Sequence, residues 1–185
     1  MRTRVDEIGP TTVGPARITD GPGIARANVL ASRVAYRDLP GAAQFLDSFL
    51  LNDLGPRKIA DWSELAASGE PGLLVARTEG ATVAGYIWVS TSDDGTGAIN
   101  SWYVHPNWHG AGVGRALMRA GLGRLGKVDV YTQAILGTGA IERYQRYGFT
   151  ILEGLRDTPR PLREAGIHAP LVPLKRLALE SLSRG

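Results

Sequence analysis

The chain has 185 residues, 43% hydrophobic and 21% charged, with 21 Lys plus Arg against 18 Asp plus Glu, a net charge of +3 and no cysteine. Such a length and composition indicate one globular domain, and the lack of cysteine excludes disulfides, a thiolate nucleophile and Cys-ligated zinc. The slight positive excess suits a small phosphorylated ligand, while the dense basic clusters of a nucleic-acid binder are missing, so no nucleic-acid partner is expected.

Along the chain, residues 9–23 hold four glycines and three prolines. They read as an irregular arm (1–15) followed by at most a short strand at 16–19. A helix starts after Thr19 or Asp20, with Ile24, Ala27, Ala31 and Val34 at helical spacing, and stops at Asp38-Leu39-Pro40. Further helical stretches cover 42–51 and 59–67. The period then changes: 72–77 (GLLVAR) and 82–90 (TVAGYIWVS) form an antiparallel pair, and 98–104 (AINSWYV) is a third strand. Beyond it come a glycine loop, a helix to Leu125, a strand at 128–134, a short helix at 138–147 and a strand from Phe149. Residues 169–177 read as an edge strand, because Pro170 and Pro173 cannot donate to both neighbours. This order predicts a mixed α/β fold, its sheet mostly antiparallel with helices on both faces, spanning 16–178 and followed by a tail at 179–185.

The stretch NWHGAGVGRAL, residues 107–117, alternates Gly110, Gly112 and Gly114 and runs directly into a helix. Bare backbone at a helix start lets N–H groups converge on a ligand, and the helix dipole favours an anion there. Two phosphate motifs fail on inspection. A dinucleotide-binding G-x-G-x-x-G from Gly110 needs glycine where Arg115 stands. GLGRLGK at 121–127 is followed by Val128 instead of Ser or Thr, and lies between helix and strand in the wrong order. In the helix itself, Leu117, Met118, Leu122 and Leu125 form the core stripe, with Arg115 and Arg119 together on another face.

The segment WYVHPNWHGAGVGRAL, followed about 30 residues later by AIERYQRYGF, resembles the GNAT superfamily of acyl-CoA-dependent N-acetyltransferases. The similarity spans roughly residues 16–155. It implies the GNAT acyl-CoA N-acyltransferase fold, with a splayed parallel strand pair, and acetyl-CoA as acyl donor. The pyrophosphate loop falls on His109, Gly110, Ala111, Gly112, Val113, Gly114 and Arg115, and the later helix on Gly137, Ala140, Arg143, Tyr144, Gly148 and Phe149. His109 stands in place of the family's Gln or Arg, Gly137 in place of an Asn that meets the cofactor arm, and Arg143 in place of an apolar residue.

Acyl transfer from a thioester to an amine needs a neutral amine, a stabilised oxyanion and a proton for the departing thiolate. The resemblance assigns Tyr144 as general acid and brings Tyr103 and Val104 beside the thioester, where a main-chain N–H can hold the oxyanion. No general base is evident, because the strands at 82–90 and 98–104 carry no carboxylate. Asp93, Asp94, His105 and His168 are the remaining candidates, each with a bland reading as loop or cap. Trp88, Trp102, Tyr36 and Tyr86 line the acceptor pocket or fill the core, and the acceptor walls are expected from the first helices and residues 156–168. H-P-N-W-H lacks the geometry and the Glu of a zinc helix, so no metal is expected.

The function expected is acetyl transfer to a primary amine, preferably of a small molecule. The alternatives are a protein or peptide amine, or a catalytically silent CoA-binding domain on the same fold. Strand edges near the C-terminus are compatible with a homodimer. No apolar run reaches the roughly 20 residues of a spanning helix, and MRTRVDEIGP lacks a secretory apolar stretch, so a cytoplasmic location without membrane contact is expected.

Overall fold

A computed structural model describes residues 10–42, 56–164 and 166–178. The helix expected at 42–51 lies almost wholly outside the described residues, as does the tail at 179–185. In chain order the elements are β1 (Thr11–Pro15), a 3-10 turn (Ile18–Asp20), α1 (Gly21–Tyr36), α2 (Pro56–Ala67), β2 (Leu73–Thr78), β3 (Val83–Thr91) and β4 (Gly97–Val104). A second 3-10 turn (Pro106–Trp108) leads to α3 (Val113–Leu125), β5 (Val130–Ile135), α4 (Ala140–Gln145), β6 (Thr150–Ile151), α5 (Arg160–Glu164) and β7 (Leu171–Arg176).

The seven strands form one sheet in the order β1-β2-β3-β4-β5-β7-β6, antiparallel throughout except for the β4–β5 pair. Helices cover both faces. Leu74, Ala76, Ile87 and Val89 pack with Leu117 and Met118 of α3, while Leu73, Val75 and Tyr86 pack with Ile24 and Ala27 of α1 and Ala66 of α2. Burial on two faces is why β2 and β3 read as continuous apolar runs with no polar alternation.

Two expectations are corrected. Residues 11–15 are not irregular and 16–19 is not the strand: β1 pairs with β2 from Thr11↔Thr78 to Pro15↔Leu74, and the chain then turns at Ile18–Asp20. The turn is fixed by a buried ion pair in which Arg77 donates through Nε to Asp20 Oδ1 at 2.9 Å and through Nη2 to Oδ2, while Nη2 also reaches the Pro15 carbonyl at 2.7 Å. Asp20 Oδ2 also accepts from the Arg17 N–H at 2.6 Å, so Asp20, at the N-cap position of α1, makes no side-chain cap to that helix and instead joins the chain before it to β2. Likewise β7 is not an edge strand: it lies between β5 and β6. Pro173 pairs with Gln133 on one side, and its carbonyl accepts from the Leu152 N–H at 2.9 Å on the other. Its nitrogen therefore faces the β6 side, where the partner strand is only two residues long and ends, so the missing donor breaks no ladder.

Candidate active site

The β4–β5 pair is parallel over only two rungs, Gly97↔Val130 and Ala98↔Tyr131. The β3–β4 register skips Asn100, a bulge that bends β4 away, and the next contact across the gap is a side-chain bond from Thr132 Oγ1 to the Ile99 carbonyl at 3.0 Å. Beyond that point the strands part. The opening is a cleft of about 1200 Å³ through the sheet, lined by α1, β4, the glycine loop, β5 and α4.

The glycine loop forms one end. Gly110 and Gly112 have φ of +84° and +79°, a left-handed conformation that costs other residues strain, and a Cβ on either would meet no atom closer than Arg115 Nη2 at 3.9 Å. Gly114 serves a different need: a Cβ there would lie 3.3 Å from Trp102 Cζ2 and 3.5 Å from Val104 Cγ2, so its bareness lets α3 settle on β4. Gly112 is the N-cap and offers no side-chain cap, which leaves the N–H groups of Val113, Gly114 and Arg115 without partners inside the helix. Arg115, Arg143 and Arg146 also line the cleft, so the charge at this end favours an anion.

His109 Nε2 lies 2.9 Å from the Val104 carbonyl, which fixes that nitrogen as the protonated one and ties the loop to the end of β4. The His105 N–H is bonded to the Ala84 carbonyl of β3 at 2.9 Å, so by strand alternation the Val104 N–H points the other way, into the gap. His105 itself is buried and accepts from the Asn107 N–H through Nδ1 at 3.1 Å. Burial, helped by the charges of Arg26 and His109, holds its pKa below the ordinary value. It is a neutral loop cap.

Tyr144 closes the same wall. It is 6% exposed, with ring centroids 5.5 Å from Trp102 and 5.3 Å from Phe149. Burial pushes its hydroxyl pKa up to about 12, so the phenol is protonated at neutral pH.

The opposite end is assembled from other elements. Ala31, Val34 and Ala35, one stripe of α1, face it together with Tyr36, Ser101, Tyr103, Ile135, Pro159, Leu162 and Leu171. Tyr36 and Tyr103 join hydroxyls at 3.0 Å; the Tyr36 pKa is raised well above the usual phenol value by burial and then by Tyr103.

Of the residues expected from sequence, Tyr103, Val104, His109, Gly110, Ala111, Gly112, Val113, Gly114, Arg115 and Tyr144 all line the cleft. Gly137 does not. It lies in the turn after β5 with φ +88°, where a Cβ would meet Leu39 at 3.1 Å, so the Asn of the family pattern would be strained and crowded here. Tyr36 and Trp102 line the cleft, whereas Tyr86 is wholly buried beside Trp62 and its hydroxyl accepts from Asn28.

Asp94 staples its own turn, accepting from Ser92 Oγ at 2.6 Å, the Thr96 N–H at 2.9 Å and Thr96 Oγ1 at 2.7 Å. These bonds lower its pKa to about 2, and neither it nor Asp93 or His168 reaches the cleft lining. Sequence reasoning missed Ser101, Gln133 and Arg146 as lining residues. For Ser101 the period-2 alternation with Tyr103 was the available signal.

Among the described residues no cluster of His, Asp and Glu fit to hold a metal occurs and no helix is long and apolar enough to cross a membrane.

Comparisons with known proteins agree with this architecture. The mycothiol acetyltransferase of Propionibacterium freudenreichii subsp. shermanii is 36% identical over 107 residues, 54% of this chain and 33% of that protein. That of Nocardiopsis dassonvillei is 28% identical over 155 residues, 74% of this chain and 44% of the relative, so the chain spans less than half the length of either. The fold matches the PaiA N-acetyltransferase of Thermoplasma acidophilum, solved in complex with coenzyme A, with a TM-score of 0.68 and 12% identity over 91% of this chain and 99% of that one. The Acetyltransferase (GNAT) family model matches residues 40–149, more than half of the sequence, and the chain belongs to that family.

Proposed function

We propose that the protein transfers an acetyl group from acetyl-CoA to a primary amine, preferably of a small molecule. The observation that carries the reading is the parted β4–β5 wedge, with uncapped N–H groups at one mouth and a protonated buried phenol, Tyr144, along its wall. The pyrophosphate sits on the N–H groups of the α3 start with Arg115 beside it, and the pantetheine arm follows the open edge of β4.

The amine lone pair attacks the thioester carbon, and the Val104 N–H stabilises the oxyanion. The C–S bond then breaks, the sulfur gains a proton, and the nitrogen loses one. A phenol at about 12 is a weaker acid than a thiol at about 8.5. Transfer that leaves a phenolate behind is therefore uphill, even to the departed thiolate. Tyr144 stabilises the leaving sulfur as a hydrogen-bond donor, and passes its proton to sulfur only as it takes up the one shed from nitrogen.

Among the described residues no carboxylate lines the cleft, which favours entry of the amine already neutral. The same feature supports a second reading, a CoA-binding domain without turnover. Calorimetric titration with acetyl-CoA, wild type beside Gly112→Asp, tests the donor site. Saturable binding weakened about 100-fold by the new carboxylate is expected, from charge and left-handed strain together. Binding without turnover on a broad amine panel favours the silent domain, and absence of binding removes both readings.

A further inference from the structure

The neutral end of the cleft carries information about the acceptor. Its described walls are Ala31, Val34 and Ala35 of α1, Ile135 of β5, Leu162 of α5 and Leu171 of β7, with the Tyr36 and Tyr103 hydroxyls between them. Ile135 belongs to the hydrophobic cluster against which Tyr36, Leu162 and Leu171 pack. Trp102 and Val104, one step away on the alternate face of β4, pack instead with the cluster beneath α3. The two ends are therefore separate environments on opposite faces of the sheet.

No charged side chain among the described residues lines the neutral end; the lining charges are Arg115 of α3, Arg143 of α4 and Arg146 just after α4. Of the charged residues adjacent in sequence to the neutral-end positions, Arg33 and Arg163 are not among the lining residues, and Arg37 and Arg160 are exposed and paired, Arg37 with Asp38 at 3.2 Å and Arg160 with Glu164 at 2.6 Å. Polar atoms are few and neutral. The two phenol oxygens can accept an amine N–H, and Ser101 Oγ, on the same strand face as Tyr103, is buried without a hydrogen-bond partner.

A second ammonium or a carboxylate drawn into such walls would lose its hydration without gaining a counter-ion. Resting on the transferase reading above, we infer that the acceptor is a primary amine on an uncharged, apolar body, such as an arylalkylamine, and not a polyamine or a free amino acid. The hydroxyl pair holds the nitrogen, and the aliphatic wall takes the body.

The test compares three acceptors at saturating acetyl-CoA: 2-phenylethylamine, phenylalanine (the same body with a carboxylate added) and spermidine. The expected kcat/KM for 2-phenylethylamine exceeds each of the others by about 100-fold or more, the scale of an unpaired buried charge. An Ala35→Glu variant, which gives the neutral wall a carboxylate, is expected to narrow the advantage over spermidine at least about tenfold with acetyl-CoA affinity unchanged. Preference for spermidine or phenylalanine overturns the inference and leaves the transferase reading standing. Acetyl-CoA binding with no transfer to any of the three overturns the inference, and the transferase reading falls with it only if a broad amine panel also shows no turnover. An Ala35→Glu variant whose preference does not move also counts against it.

Discussion

The two ends of the cleft are built by opposite means. The cationic end is local: one stretch of sequence, 109–115, supplies glycines, N–H groups and Arg115, and its polarity follows from the start of a single helix. The neutral end is non-local, drawing side chains from α1, β4, β5, α5 and β7. A donor site that must grip phosphates can be written as a motif, because the backbone does the gripping. An acceptor site made of side chains has no such constraint, and its chemistry appears only when distant elements meet.

The sharpest test of this division is the group between the two ends. Replacing Tyr144 by Phe removes a proton donor and leaves the ring that packs on Trp102 and Phe149. The expected loss in kcat is about 10²–10⁴-fold, with acetyl-CoA affinity within about twofold by calorimetry. A similar fall in affinity would mean that the residue belongs to the donor end as packing.

Next in size is Arg115→Gln, which leaves the nest of N–H groups but removes an exposed cation from its edge. Acetyl-CoA should bind about tenfold more weakly at low ionic strength, with the gap shrinking as salt rises. A salt-independent loss would point to altered loop geometry.

Smaller still is Tyr103→Phe, which breaks the hydroxyl pair with Tyr36. Losing one neutral hydrogen bond, worth about 1 kcal/mol, should raise the amine KM about fivefold while the acetyl-CoA Kd stays fixed. If both constants move together, the two ends are mechanically coupled through β4.

What could be read from the sequence follows the same line. The bare glycine loop at 110–114 and the core stripe of α3 were legible because each depends on residues close in sequence, whereas Tyr144, which lines the cleft, was reached only through the family resemblance. Asp20 stands at the start of α1 as the sequence allows, yet its side chain serves Arg77, 57 positions away, a partner that nothing in its sequence neighbourhood announces. The two prolines near β7 suggested an edge, and only the shortness of β6 on the Pro173 side makes an interior place compatible with them. Gly137, transferred from the family pattern, sits outside the cleft because its turn packs on Leu39.

The smallest expected effect concerns the cap that holds the cationic end. His105 is kept neutral by burial and by the neighbouring charges of Arg26 and His109, and as a neutral ring it accepts the Asn107 N–H. Its folded pKa therefore lies below the unfolded value of about 6.5. Between those two values the unfolded chain binds more protons, so stability rises with pH there. The contribution is present in full above the unfolded pKa and is lost as pH falls through the folded one. Melting curves between pH 5 and 7.5 should show the wild type losing stability toward acid. His105→Asn, whose amide oxygen can cap without titrating, should flatten part of that slope. Adding acetyl-CoA should flatten it further in the wild type, because an anion at the α3 start offsets the positive field that disfavours the charged ring. Equal slopes in both proteins, with and without ligand, would mean that the acid sensitivity arises elsewhere and that the cap is not linked to the donor end.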